Sequence, residues 1–136
     1  MAATVDKALR GRLVLGPNLS RGIPANLRYL RADPFAVRLS FPAAVGLEGE
    51  DVEWVFARDL LDDGLYEPVG DGDIHLWPCG AGHVMIEFES PHGMAIVEFA
   101  AADLRLFLHD AYQEIPAGQE SRHLDLDARL AALLGQ

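Results

Sequence analysis

Residues 83–112 have the sequence HVMIEFESPHGMAIVEFAAADLRLFLHDAY, and this stretch decides the predicted fold. Apolar residues alternate with other residues on both sides of the segment 90–93, whose sequence SPHG is typical of a turn. The alternating sets are Val84, Ile86 and Phe88, then Ala95, Val97 and Phe99. Because successive side chains of a strand point to opposite faces, the pattern predicts an antiparallel hairpin over residues 83–99.

The hairpin leads directly into a predicted amphipathic helix over residues 101–113, which Pro116 ends. Its apolar residues follow the helical spacing i, i+3, i+4, i+7 and i+8, and they are Leu104, Phe107, Leu108, Ala111 and Tyr112. A second C-terminal helix is predicted to begin at the N-cap Asp125 and to stop at Gly135. Its apolar stripe consists of Leu126, Leu130, Leu133 and Leu134.

Upstream of the hairpin, alternation of period two predicts further strands over residues 9–15, 35–41 and 52–56. Shorter strands are predicted over residues 26–30 and 74–78, and a helical turn over residues 57–63 that ends at Gly64. Phe35 is in phase with Val37 and Leu39 and is therefore predicted to be buried. This order predicts an α+β fold: a mostly antiparallel β-sheet, or sheets, with two C-terminal helices, in one domain spanning residues 1–136.

Composition narrows the class of protein. Half of the 136 residues are apolar, which is enough for a core, and no apolar run approaches the roughly 18 residues of a membrane span. The N-terminal residues 1–16 lack the continuous apolar stretch of a signal peptide, so we expect a cytoplasmic protein without membrane insertion. Cys79 is the only cysteine, and we expect it to be structural.

The net charge of −10 is unevenly distributed and argues against nucleic-acid binding. Residues 1–38 contain seven basic and two acidic residues, whereas the remainder contains four basic and 19 acidic ones. Charge exchange between facing strands is the favoured interpretation, and a basic patch for a polyanion is the alternative. For that alternative, Tyr29 between Arg28 and Arg31 is a candidate base-stacking aromatic.

The residues do not assemble a catalytic set. Lys7 is the sole lysine, which excludes a GxxxxGK phosphate loop, and no GxSxG nucleophile elbow is present. Asp71, Asp73 and His75 would point to one side of an extended chain and are the best metal candidates. A turn rich in Asp and Gly explains the same residues more simply. We therefore predict no enzymatic activity, no cofactor and no metal site.

Three stretches carry a resemblance to a known family. They are residues 27–41, LRYLRADPFAVRLSF; residues 52–78, VEWVFARDLLDDGLYEPVGDGDIHLWP; and residues 121–135, SRHLDLDARLAALLG. Together they resemble the SsgA-like proteins of sporulating actinomycetes, over roughly residues 9–135.

The resemblance implies a role in septum formation and sporulation, at the cell septum. It also implies a fold similar to Whirly-type nucleic-acid binders, a homotrimeric assembly, and partners that include the tubulin-like FtsZ and other septal or SsgA-like proteins. We expect a non-enzymatic adaptor, and a single-stranded nucleic-acid binder is the alternative.

Two groups of residues are candidates for a partner or oligomer interface. Trp77 lies out of phase with Ile74 and Leu76, so it is the aromatic residue expected on a surface. The second group is the C-terminal stripe Leu126, Leu130, Leu133 and Leu134, which could bind a partner groove or pack in the core.

Overall fold

A computed structural model of the chain describes residues 4–42, 51–91, 93–122 and 133. These residues form eight strands and two helices, and residues 120–122 are also helical. In chain order the elements are β1 (Thr4–Gly16), β2 (Leu19–Leu30), β3 (Ala36–Phe41), β4 (Val52–Ala57), α1 (Arg58–Asp63), β5 (Val69–Asp71), β6 (Ile74–Cys79), β7 (His83–Ser90), β8 (Gly93–Ala100) and α2 (Ala101–Glu114).

All eight strands belong to one antiparallel sheet with the order β4-β3-β2-β1-β8-β7-β6-β5. Each half is a meander of four consecutive strands followed by a helix. The halves meet where β1 pairs with β8, at Arg12 opposite Glu98 and Leu13 opposite Val97. The antiparallel sheet with a helix after each half confirms the predicted α+β class.

The core lies between one face of this sheet and the two helices. Alternate residues of the strands are buried on that face, as the period-two pattern predicts. From α2 the buried residues are Ala101, Leu104, Phe107, Leu108 and Ala111. The predicted hairpin over residues 83–99 and the predicted helix over residues 101–113 are therefore confirmed.

Strand β2 is much longer than the predicted strand over residues 26–30. Gly22 and Pro24 break the apolar pattern, yet both pair with β1, opposite Arg12 and Arg10. Among the described residues, β3 pairs with β2 at residues 26–28, so Pro24 lies outside this pairing and has β1 as its described neighbouring strand. A proline can occupy that position because a ladder hydrogen bond is not needed on the uncovered side.

Phe35 is not a core residue, contrary to its phase with Val37 and Leu39. It lies in the turn before β3, and 46% of its surface is exposed. Its backbone carbonyl instead accepts a hydrogen bond of 2.8 Å from the Arg58 N–H, at the start of α1. The alternating pattern of apolar residues extends one residue beyond β3, to Phe35, but in the turn it no longer determines which side chain is buried.

Helix α1 ends at the predicted glycine, but for a different reason. Gly64 has φ −65° and ψ −14°, a right-handed conformation open to any residue. A Cβ at this position would lie 2.7 Å from the Leu76 Cβ. The glycine therefore permits close packing of α1 against β6, instead of supplying a left-handed stop.

The second C-terminal helix falls largely beyond the described residues. Helical residues are found at 120–122 and at Leu133, whereas the predicted N-cap Asp125 and the stop Gly135 lie outside the described ranges. The chain is thus already helical five residues before the predicted N-cap.

Candidate functional site

One face of the sheet is the candidate binding surface. We call it the open face, because within the described ranges both helices pack on the opposite side. Its side chains alternate with the buried ones, and they include Trp77, Met85 and Glu98, which are opposite one another on β6, β7 and β8. Trp77, Met85 and Glu98 are half-buried, so neighbouring side chains already shield part of this surface.

A cleft of about 760 Å³ opens on this face across β5, β6 and β7. Its walls combine prolines and aliphatic groups with an indole, an imidazole and two carboxylates. The lining residues are Pro68, Val69, Gly70, His75, Leu76, Trp77, Pro78, Glu87 and Glu89. Such a mixture of apolar surface and a few convergent polar groups is typical of a binding site.

Trp77 therefore lines this cleft, although other aromatic side chains are more exposed. Tyr66 and Phe35 have larger exposed fractions, whereas Trp77 is half-buried. The period-two pattern gives the face of Trp77 correctly but not how far its neighbours cover it. Its role at an interface stays a prediction.

Of the predicted C-terminal stripe, the structure describes only Leu133, whose surface is 82% exposed. Leu126, Leu130 and Leu134 lie outside the described residues. Exposure of Leu133 is the opposite of what a core position requires, and a role of the stripe in partner binding stays a prediction.

The basic residues of the first half are partly neutralised within the sheet. Arg28 lies 3.2 Å from Asp6 on the neighbouring strand, and Arg38 lies 3.1 Å from Asp33 and 3.2 Å from Glu53. These ion pairs agree with charge exchange between facing strands. Tyr29 is fully buried and donates a 2.8 Å hydrogen bond to the Pro34 carbonyl, so it cannot stack on a base.

The predicted metal trio does not assemble. Gly72 has φ +61° and turns the chain between β5 and β6, so Asp71 faces Ile74 while His75 faces Gly70. The extended conformation assumed for residues 71–75 is therefore wrong. In the described part of the chain, the side chains close enough for a metal ion are instead His75, Glu87 and Glu89.

The most strongly buried charged side chain of the described residues is that of Arg58, which was not predicted and lies on the helix side of the sheet. Its side chain is 1% exposed, and Nη2 lies 3.1 Å from the Glu120 carboxylate. Nη1 donates hydrogen bonds to Tyr29 Oη at 3.0 Å and to the Ala111 and Ile115 carbonyls at 3.3 and 2.8 Å. The guanidinium thus joins β2, the end of α2 and the segment that follows α2.

Two tyrosine rings flank this guanidinium. Its central carbon lies 5.0 Å from the Tyr29 ring centroid and 4.3 Å from that of Tyr112, within cation–π range. Tyr112 also donates a 2.7 Å hydrogen bond to Asp62, and burial together with this bond raises the pKa of Tyr112 above its ordinary value. The cluster holds α1, α2 and β2 together, and both Arg58 and Glu120 are buried, so we assign it a structural role.

The stability that this cluster contributes depends on pH through the Glu120 carboxyl. Burial opposes ionisation of the carboxyl, but hydrogen bonds from backbone N–H groups and the positive charge of Arg58 at 3.1 Å outweigh it, so the pKa of Glu120 lies below its ordinary value. A carboxyl whose pKa is depressed on folding stabilises the protein above its unfolded pKa. This contribution is lost as the pH falls through the folded pKa.

We therefore expect Glu120→Gln to destabilise the protein at neutral pH, and the gap from wild type to close as the pH falls below 4.5. Urea unfolding over a series of pH values measures this gap. Glu114→Gln is the control, because Glu114 forms a partly exposed pair with Arg31, at 3.8 Å. A gap that stays constant with pH would show that the Glu120 charge does not stabilise the fold.

Fold and surface together define a class: a sheet protein with helices on one side and a mixed apolar and charged cleft on the other. A family model described as "Streptomyces sporulation and cell division protein, SsgA" matches residues 23–120. The chain therefore belongs to the SsgA family of sporulation and cell division proteins, which confirms the resemblance seen in the sequence.

Individual relatives agree with this assignment. The sporulation-specific cell division protein SsgB of Streptomyces coelicolor is 45% identical over 139 residues, covering 100% of this chain and 99% of the relative. SsgB of Kineococcus radiotolerans is 43% identical, covering 96% of this chain and 78% of the relative. These relatives place the protein in cell division.

Solved structures share the fold as well. The crystal structure of an SsgA-like sporulation-specific cell division protein from Thermobifida fusca superimposes with a TM-score of 0.85, at 36% identity and 96% coverage of both chains. A structure reported with mutations in S. coelicolor SsgB gives a TM-score of 0.83 at 45% identity, covering 90% of this chain and 97% of that one. The likeness to Whirly-type proteins stays a prediction. Within the described residues, no helix is both long and apolar enough to cross a membrane.

Proposed function

We propose that the protein is a non-enzymatic adaptor that recruits or positions FtsZ at future division sites during sporulation. It acts in the cytoplasm at the septum, alongside other septal or SsgA-like proteins. Support comes from the names of its relatives, which are sporulation-specific cell division proteins, and from the FtsZ association that the family resemblance implies.

The observation that carries the proposal is the cleft on the open face. An indole in a cleft with apolar walls and a few polar groups can supply a large contact area and one hydrogen-bond donor, which is why tryptophan is frequent among residues that dominate binding energy. We therefore place the FtsZ contact at Trp77 and the apolar walls formed by Pro68 and Pro78.

Co-sedimentation with polymerised FtsZ tests this placement. Wild-type protein is expected to sediment with the polymer, and Trp77→Ala to weaken binding by about 2 kcal/mol or more, the threshold for an interface hot spot. Phe35→Ala is the control, because Phe35 is an exposed aromatic in the turn before β3, outside the cleft. Melting curves of both variants separate lost binding from lost folding.

Three outcomes are informative. Loss of binding in Trp77→Ala alone supports the cleft, whereas loss in Leu133→Ala alone moves the contact to the exposed C-terminal leucine. If the wild-type protein neither sediments with FtsZ nor changes its bundling or its localisation in cells, the recruitment proposal fails.

The proposed assembly is a homotrimer, as the family resemblance implies. Exposed apolar side chains near the β1–β2 turn and on β4 and β8 offer surface for such an assembly, namely Leu15, Leu19, Val55 and Met94. Light scattering on the purified protein reports the mass, and a value near the chain mass of 14.8 kDa at micromolar concentration would contradict the trimer.

The alternative of single-stranded nucleic-acid binding gains no support from the surface. Arg28 and Arg38 are paired with carboxylates, and Tyr29 is buried. Phosphate contacts by basic side chains dominate nucleic-acid affinity, and a net charge of −10 opposes them.

A further inference from the structure

Three metal-ligand side chains converge in the cleft across β6 and β7. One potential ligand atom from each of His75, Glu87 and Glu89 lies within 4.8 Å of the other two. Ligands about 2.1 Å from a shared Zn²⁺ lie at most about 4.2 Å apart, so small side-chain rotations would bring these three atoms to one ion. The backbone already places them together: His75 and Glu87 are direct cross-strand partners, and Glu89 follows two positions later on the same face.

The imidazole of His75 has a nitrogen that the protein leaves unsatisfied. Its Nδ1 atom is buried and has no hydrogen-bond partner among the described residues. The nearest carboxylate oxygen, Glu87 Oε2, is 3.7 Å away, which is too far for a hydrogen bond. Leaving a buried polar atom without a partner is costly, and a cation between the imidazole and the carboxylates would satisfy it.

A glycine on the neighbouring strand makes room for this ring orientation. Gly70 of β5 is the cross-strand partner of His75. A Cβ at position 70 would overlap the imidazole Cδ2 and would lie 3.1 Å from Nε2. Only glycine at this position therefore lets the ring occupy its observed place, with Nδ1 towards Glu87.

We propose that His75, Glu87 and Glu89 form a binding site for a divalent transition-metal ion, with Zn²⁺ the best match. An imidazole nitrogen with carboxylate oxygens suits zinc, whereas Mg²⁺ and Ca²⁺ take oxygen ligands. The two carboxylates balance the charge of the ion. Three protein ligands leave a fourth tetrahedral position, which water or a donor group from a bound protein can take.

The site stands on its own geometry and does not depend on the proposed FtsZ binding. Zinc titrated into the tag-free, full-length protein is expected to bind with one high-affinity site per chain, measured by isothermal titration calorimetry. His75→Ala and Glu87→Gln should each weaken binding at least tenfold, since even changes to residues behind the ligands cost about 10–100-fold. Glu98→Gln is the matched control, because Glu98 lies on the same face but outside the cluster and opposite Arg12.

A second pair of variants tests the ring orientation without removing a ligand. Gly70→Ala should weaken zinc binding because its methyl group displaces the imidazole. Gly22→Ala should leave binding unchanged, since its methyl group would meet only the flexible end of Arg10, at 3.3 Å. Melting temperatures of all variants identify any that fail to fold.

A spectroscopic readout locates the ion directly. Trp77 lines the same cleft, so a paramagnetic ion such as Co²⁺ at this site should quench its fluorescence. Trp77→Phe should remove this part of the quenching and leave only that of Trp54, whose ring centroid lies 5.0 Å from that of Phe88, while zinc affinity stays within about threefold. The site is refuted if zinc does not bind the wild-type protein, or if folded His75→Ala and Glu87→Gln variants bind it as tightly as Glu98→Gln.

Discussion

Replacement of Arg58 by alanine is expected to lower the free energy of unfolding by about 3–5 kcal/mol, because removing one partner of a buried ion pair leaves the other charge uncompensated. Glu120, which is 6% exposed, would lose its counter-ion at 3.1 Å. The Ile115 carbonyl would lose the 2.8 Å hydrogen bond that it accepts from the guanidinium, and Tyr29 Oη would lose the 3.0 Å hydrogen bond that it accepts from the same group. Urea unfolding of the purified variant measures the loss.

Arg38→Ala provides the matched control. Arg38 also pairs with two carboxylates, Asp33 and Glu53, but its side chain is 29% exposed. Exposed or half-exposed ion pairs contribute about 1 kcal/mol or less, so this variant should remain close to wild type. Equal losses in the two variants would mean that burial does not set the contribution of Arg58.

A double-mutant cycle separates the pair from its surroundings. If the ion pair dominates, Arg58→Ala and Glu120→Ala together should cost clearly less than the sum of the single losses, because the double variant leaves no unpaired charge. Additive losses would assign the stability to the hydrogen bonds and tyrosine contacts of Arg58 instead.

Phe107→Ala is expected to destabilise the protein to a similar degree, by about 3–5 kcal/mol. Phe107 is fully buried in the face of α2 that packs on the sheet. Truncation removes the apolar contacts of the ring and leaves a cavity that the surrounding strands can fill only in part. Because natural domains are stable by about 5–15 kcal/mol, the variant should lie near the limit of folding at elevated temperature.

Leu106→Ala is the control within the same helix. Leu106 is the neighbour of Phe107 but is 55% exposed, so its truncation should change stability by less than about 0.5 kcal/mol. Both variants place alanine, the best helix former, in α2, and any propensity gain is larger for Phe107→Ala, so a greater loss in that variant reports burial. A small loss for Phe107→Ala would show that α2 is not anchored by its apolar face.

The spacing of apolar residues was sufficient to predict the strands and the helix that bury one face and expose the other. Val84, Ile86 and Phe88 alternate because β7 packs its inner face on the core, and Leu104 and Phe107 recur at helical spacing because α2 covers that face. These patterns are visible in the sequence because packing selects apolar residues at fixed intervals. The hairpin, helix α2 and the α+β class were therefore predicted correctly from these patterns.

Long-range partners could not be predicted in the same way. Arg58 lies in the segment RDLLDD, whose charges suggest a solvated helix, and its counter-ion Glu120 is 62 positions away. One signal was available: Arg58 is in helical phase with the buried Leu61. A charged residue on an apolar helix face can indicate a buried ion pair.

The cleft residues illustrate a second limit. Asp71, Asp73 and His75 are neighbours in the sequence, but the Gly72 turn separates them. His75 and Glu87 are 12 positions apart and become neighbours only through the register of β6 and β7. Register depends on the whole sheet, so a one-residue difference would have given His75 different neighbours.

The junction of β1 with β8 has a consequence for how the chain folds. Residues 12–13 pair with residues 97–98, so the centre of the sheet closes a loop of about 85 residues, whereas every other strand pair joins neighbours in the sequence. Chain entropy opposes such long closures, and contacts distant in sequence slow folding. Each meander can form from local hairpins, and the meeting of the two halves is then the slow, cooperative step. Until it occurs, β1 and β8 each present an unpaired strand edge, the state in which the chain is most exposed to aggregation.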